Sequence, residues 1–63
     1  MTIQEHIDFK TACKYHILGV SLTGKARKVQ LNISFDAQER ISRDLKVPLY
    51  DVMMAVRNNY FNN

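Results

Sequence analysis

The stretch from residue 25 to residue 35, KARKVQLNISF, constrains the fold of this 63-residue chain more than any other stretch. Apolar residues occupy every second position in it, and polar residues fill the positions between them. This period of two is typical of a β-strand with one apolar and one polar face. We therefore predict a strand from Arg27 to Phe35. Its predicted apolar face is Val29, Leu31, Ile33 and Phe35, and its predicted polar face is Lys28, Gln30, Asn32 and Ser34.

The net charge of +3 is concentrated beside this strand. Before residue 25, and again from residue 36 onwards, lysines and arginines balance the carboxylates. The excess is therefore carried by Lys25, Arg27 and Lys28. Such a positive cluster is typical of a surface that contacts phosphates or an acidic partner, but it also occurs where a solvated turn keeps an edge strand soluble.

The N-terminal part of the chain predicts a helix and a second strand. Thr2 and Glu5 have the spacing of a capping box, which predicts a helix over residues 3–13. The aromatic and branched residues of 15–22 predict a strand, and the turn at 23–26 would join it to the strand of 27–35 as a β-hairpin.

Two further helices are expected after the hairpin. Asp36 is a suitable N-cap for a helix over residues 37–46, which Pro48 would end. The final helix, 49–60, is apolar around most of its circumference, more than a small monomer can cover. We therefore predict an α+β fold in a single domain, 1–63, that forms an obligate homodimer. The predicted dimer or partner interface is Leu49, Tyr50, Val52, Met53, Met54, Val56 and Tyr60.

Several functional classes are disfavoured by the composition. Cys13 is the single cysteine, so no intrachain disulfide can form and a reducing compartment, the cytoplasm, is expected. The chain contains no apolar run long enough for a membrane span, and residues near Met1 lack the pattern of a signal peptide, so an unexported protein is expected. His6, Cys13 and His16 supply too few ligands for a structural zinc site, and no catalytic constellation is present. We therefore predict a non-enzyme without metal, cofactor or membrane partner.

A helix-turn-helix motif fits the C-terminal half by spacing. The exposed face of its recognition helix would be largely apolar, which suits a protein interface better than base edges. The positions that carry the motif are Ile41, Ser42, Leu45, Val47 and Val52, and the exposed face would be Leu49, Tyr50, Met53 and Met54.

Residues 27–60 also resemble the ribbon-helix-helix repressors, in which a polar strand face is followed by two helices. The resemblance implies that strands from two subunits pair into a ribbon that enters the major groove of DNA. It implies that Gln30, Asn32 and Ser34 face the groove, with Arg27 and Lys28 near phosphates. Glutamine and asparagine are suited to reading adenine. Whether the predicted strands pair within one chain or between chains stays open.

These patterns predict a small DNA-binding transcriptional regulator, with DNA favoured over RNA. Its predicted nucleic-acid contacts are Lys25, Arg27, Lys28, Gln30, Asn32 and Ser34. The alternative is a non-enzymatic protein-interaction module, an inhibitor or adaptor, that uses the apolar final helix as its contact surface.

Overall fold

The structure, a computed structural model, describes residues 1–61, and these residues form helices and no strand. A short 3₁₀ turn, Ile3–Glu5, precedes α1 (Phe9–Val20), α2 (Gly24–Leu45) and α3 (Leu49–Phe61). The predicted α+β fold with a β-hairpin is therefore wrong. None of the described helices is long and apolar enough to cross a lipid bilayer.

The predicted strand of residues 27–35 is wrong because the buried face of this segment includes polar side chains. Ser34, Ala37, Gln38 and Ile41 are all buried, and their spacing of three and four residues defines one face of a helix. Counting only apolar residues hides this helical pattern. Ile33, which the alternation placed in the core, is exposed instead.

Asp36, the predicted N-cap, lies on the exposed side of α2 instead of starting a helix. The segment from residue 25 to residue 45 contains no glycine or proline that would interrupt a helix. One helix therefore extends through both the predicted strand and the predicted helix of 37–46. Its end at Leu45 agrees with the stop expected before Pro48.

The predicted strand of residues 15–22 is also wrong, since most of it belongs to α1. Gly19 is buried in this helix beside Leu31 of α2. A Cβ atom at position 19 would lie 2.5 Å from Leu31 Cδ2 and 3.3 Å from the Leu31 backbone nitrogen. The glycine therefore permits close packing of the two helices, which are joined by a short turn and form a helical hairpin.

The predicted first helix, 3–13, is divided into two elements. The capping box is present, because the Thr2 N–H donates to Glu5 Oε1 over 2.8 Å and the Glu5 N–H donates to Thr2 Oγ1 over 3.3 Å. The helix stops at His6, whose backbone is extended. The buried His6 ring then bonds Asp44 through Nε2 at 2.9 Å and accepts the Asp8 N–H at Nδ1. These contacts fasten the N-terminal segment to the end of α2.

The turn between α2 and α3 reverses the chain at Lys46. This residue has φ 55° and ψ 44°, a left-handed conformation that usually selects glycine. The Ser42 hydroxyl donates to the Val47 carbonyl over 2.6 Å and holds the turn. α3 therefore returns along α2, and its first residue, Leu49, agrees with the predicted start of the final helix.

All three helices contribute side chains to one core. The two core residues of α3, Val52 and Val56, are almost completely buried against α1 and α2. Because these two valines face inward, the neighbouring side of α3 is left to form the wall of a cleft. The core consists of Phe9, Ala12, Cys13, Ala37, Ile41, Val52 and Val56.

An apolar cleft as the candidate functional site

A cleft of about 600 Å³ opens between the three helices. Its volume lies within the range of roughly 300–1,000 Å³ that is usual for ligand pockets. Its walls are mainly aromatic and thioether side chains, with few polar groups. The lining includes His16 of α1, Phe35 and Gln38 of α2, and Tyr50, Met53 and Arg57 of α3.

Helical spacing explains why α3 forms most of this lining. Tyr50, Met53, Arg57 and Tyr60 are separated by three, four and three residues, so they share one face of the helix. Tyr50 is 68% exposed, although it is a large aromatic residue. The side of α3 that carries Val52 and Val56 is thus buried in the core, while the neighbouring side, which carries Tyr50 and Met53, faces the cleft.

The floor of the cleft contains a buried amide with an unusual pattern of hydrogen bonds. Gln38 is only 2% exposed. Its Nε2 group donates to Ser34 Oγ over 3.0 Å, and the Ser34 hydroxyl donates to the Ala12 carbonyl over 2.7 Å. Because the Ser34 proton is already used, Gln38 must present its N–H to Ser34. The opposite atom, Gln38 Oε1, is a buried acceptor without a hydrogen-bond partner.

His16 forms part of the wall on the side of α1. Its Nδ1 atom is also buried without a hydrogen-bond partner. Burial, together with the positive charge of Arg57, lowers the pKa of His16 below the usual value for histidine. The ring meets Tyr60 edge to face, with 5.9 Å between centroids. His16 therefore lines the cleft as an uncharged aromatic ring at physiological pH.

Acidification is expected to destabilise the fold through His16. The unfolded chain takes up this proton near pH 6.5, whereas the folded chain takes it up at a lower pH because the pKa of His16 is lowered. Stability should therefore fall as the pH decreases below about 6.5 and level off below the folded pKa. Urea unfolding between about pH 8 and pH 4 measures the effect.

His16→Phe provides the control for this pH dependence, because it keeps an aromatic ring but cannot titrate. All other ionisable groups are present in both proteins, so the difference between the two curves isolates His16. The wild-type chain should lose more stability on acidification than His16→Phe. Parallel curves for the two proteins would contradict the assignment.

A second, shallower depression extends the cleft along α2 toward its N-terminus. This basic furrow has a volume of about 270 Å³ and shares Phe35 with the apolar cleft. Among the described residues, no carboxylate lines either depression, whereas each contains cationic side chains. The furrow is formed by Gly24, Arg27, Lys28, Leu31, Asn32 and Phe35.

The residues predicted to contact nucleic acid do not form one surface. Lys25, Arg27, Lys28 and Asn32 are exposed on the first half of α2. Gln30 is half-buried, and Ser34 is fully buried in its bond to Ala12. The β-ribbon implied by the ribbon-helix-helix resemblance has no counterpart in residues 1–61. The α+β DNA-binding repressor predicted from a polar strand face is therefore not retained.

The predicted interface of α3 is divided in a similar way. Val52 and Val56 lie in the chain's own core, so they are not available to a second chain in this fold. Leu49, Tyr50, Met53 and Tyr60 remain exposed, and Met54 is half-buried in the cleft wall. A homodimer through this helix stays a prediction.

Sequence reasoning missed the contributions of Phe35, Gln38 and His16 to this site. The alternating pattern predicts Phe35 on the apolar face of a strand, but Phe35 is exposed where the cleft and the furrow meet. The spacing of Ser34 and Gln38, four residues apart between apolar helical positions, was an available signal for a buried polar pair. His16 carries no comparable local signal, because its position depends on how α1 packs against α3.

Chemistry other than binding has little support in the described residues. They contain no group of three or more histidine, cysteine, aspartate or glutamate side chains arranged to hold a metal ion. Cys13 is buried, and desolvation raises the pKa of its thiol, which makes it a poor nucleophile.

Comparison with family models, with curated proteins and with solved structures gives no significant match.

Proposed function

We propose that this protein is a non-enzymatic interaction module that binds an acidic amphipathic helix of a partner protein. The apolar face of that helix occupies the apolar cleft, and its carboxylates lie against the basic furrow. The observation that carries the proposal is the cleft of about 600 Å³ with exposed aromatic and methionine side chains. Helix-in-groove binding is a common way of recognising an amphipathic segment.

The apolar contribution comes from large side chains that remain exposed to solvent in the folded chain. Phe35, Tyr50, Met53 and Tyr60 are each between 38% and 68% exposed, yet they surround one cleft. Contiguous exposed apolar surface of this kind is typical of interaction sites on small soluble domains. Tyrosine, phenylalanine and methionine are also enriched at protein interfaces.

The acidic character of the partner follows from the charges around the cleft. Arg57 lines the cleft, and Arg27 and Lys28 line the adjoining furrow. Arg27 and Lys28, with Lys25, carry the whole net charge of the chain. Complementary charge speeds association and selects against basic partners. A helix with one apolar face and one acidic face is complementary to both the apolar cleft and the basic furrow.

Two synthetic helical peptides test the proposal. They share one stripe of leucines, but the polar face is glutamate in one peptide and lysine in the other. The glutamate peptide should bind at least about tenfold more tightly at low salt, and the difference should shrink as salt screens the charges. Titration of the ¹⁵N-labelled chain measures affinity and locates the contact. Shifts are expected around Phe35, Tyr50 and Met53.

A matched pair of variants checks the role of the furrow. The double replacement Arg27→Ala and Lys28→Ala should reduce the preference for the glutamate peptide. Lys46→Ala removes a cation at the other end of α2 and should leave that preference unchanged. Equal binding of both peptides to the wild-type chain would refute the acidic partner.

Other occupants give different results in the same experiments. A chain that sediments as a dimer, with its cleft residues protected before any peptide is added, would identify a second copy as the occupant. Salt-dependent binding of duplex DNA, with no binding of either peptide, would indicate that the basic residues contact DNA phosphates. Either outcome would overturn the proposal.

A further inference from the structure

The geometry of the cleft floor points to a partner anchor that is aromatic and carries a hydrogen-bond donor, as tryptophan does. We infer that its ring enters the apolar cleft and its N–H donates to Gln38 Oε1. This inference rests on the proposed function and adds the identity of the side chain that the cleft selects.

The first support is the fixed orientation of the Gln38 amide. The Ser34 hydroxyl donates its proton to the Ala12 carbonyl, so Ser34 Oγ can only accept from Gln38 Nε2. The other atom of the Gln38 amide, Oε1, is therefore a hydrogen-bond acceptor. Leaving a buried acceptor without a partner carries a free-energy cost. A ligand that supplies a donor recovers this cost, whereas a purely apolar ligand leaves it in place.

The second support is the character of the surrounding walls. Phe35, Met53 and Met54 offer aromatic and thioether contacts to a flat ring. His16 adds a second buried nitrogen without a partner, Nδ1, on the part of the wall formed by α1. An aliphatic anchor would fill the volume but satisfy neither polar atom. A charged anchor would have to lose its hydration in an apolar site.

The test uses two versions of the acidic helical peptide. One carries a central tryptophan, and the other carries 3-benzothienylalanine, which has nearly the same shape but a sulfur atom in place of the N–H. Binding to the full wild-type chain is measured by titration calorimetry. The tryptophan peptide should bind about tenfold more tightly, equivalent to about 1.4 kcal/mol. The sulfur-containing ring is more hydrophobic than indole, which by itself would favour binding of the 3-benzothienylalanine peptide. A preference for tryptophan would therefore have to come from its N–H.

Gln38→Met provides the complementary change on the protein, since methionine has a similar length but no amide acceptor. The tenfold preference should fall to about equal binding in this variant. If Gln38→Met fails to fold, the comparison of the two peptides on the wild-type chain still tests the inference. The side-chain amide resonances of Gln38 in the wild-type chain supply an independent readout, because at saturation they should shift further with the tryptophan peptide than with the 3-benzothienylalanine peptide.

The outcomes separate the inference from the function on which it rests. Equal binding of the two peptides to the wild-type chain would overturn the hydrogen-bonded anchor and leave the acidic-helix proposal standing. Failure of both peptides to bind would overturn the acidic-helix proposal itself. A preference that persists in Gln38→Met would show that the donor meets a different acceptor, and would also refute the inference.

Discussion

Replacing Ile41 with alanine is expected to destabilise the fold by about 2–5 kcal/mol. Ile41 is completely buried and is the largest of the fully buried side chains. A domain of this length has a free energy of unfolding of only about 3–9 kcal/mol. The loss is therefore a large fraction of the total stability, and the midpoint of urea unfolding should fall markedly. Urea denaturation followed by circular dichroism measures the change.

Ile33→Ala is the matched control, because it makes the same chemical change on the same helix. Ile33 is 36% exposed and lies outside the core cluster. Its replacement should cost less than about 1 kcal/mol. The pair also distinguishes helix from strand, since the alternating strand would bury Ile33. Equal losses for the two variants would contradict the helical fold of this segment.

Replacing Tyr50 with alanine is expected to weaken binding of the glutamate peptide by about 30- to 1,000-fold. Tyr50 belongs to the cleft, and truncation of a central aromatic residue at an interface costs about 2–4 kcal/mol. Because the side chain is 68% exposed in the free chain, its removal should change stability by about 0.5 kcal/mol or less. Calorimetry and thermal unfolding measure the two effects separately.

Asn58→Ala is the control for the binding experiment. Asn58 is exposed on α3 but does not line the cleft. Its replacement should leave the affinity within about twofold of the wild-type value, since residues outside an interface contribute little to binding. If Tyr50→Ala binds the glutamate peptide as well as Asn58→Ala does, the peptide occupies a different surface.

The parts of the fold that could be predicted from sequence are those with local stop and start signals. Pro48 correctly placed the end of one helix and the beginning of the next. Thr2 and Glu5 correctly predicted a capping box, although it caps a short 3₁₀ turn instead of a long helix. In each case the signal acts within one helical turn, so no knowledge of the rest of the chain is needed.

The two predicted strands failed for a reason that a short window cannot show. The residues between 27 and 35 alternate in polarity, but helix α2 is defined by a buried stripe that continues to Ile41 and includes Ser34 and Gln38. Those polar residues are tolerated in the interior because they bond to each other and to α1. The strand predicted over residues 15–22 failed in a similar way, since the place of Gly19 in a helix depends on Leu31 of another helix.

The candidate site was partly visible in the sequence. The broad apolar surface of the final helix and the cluster of Lys25, Arg27 and Lys28 were both recognised, and the structure leaves much of each exposed. Their relation was not recognised, because the basic residues are predicted to lie in the turn and second strand of a β-hairpin. In the structure they lie on α2, beside the side chains that form the cleft.

The sequence by itself determined where the positive charge lies, where the last helix begins and how much apolar surface that helix carries. Only the tertiary structure decided which face of that helix is covered and which polar groups are buried. The reason is physical: burial depends on contacts between helices that are distant along the chain. α3 borders the cleft because Val52 and Val56 pack inward, while Gln38 donates to Ser34 and its carbonyl oxygen is buried without a hydrogen-bond partner.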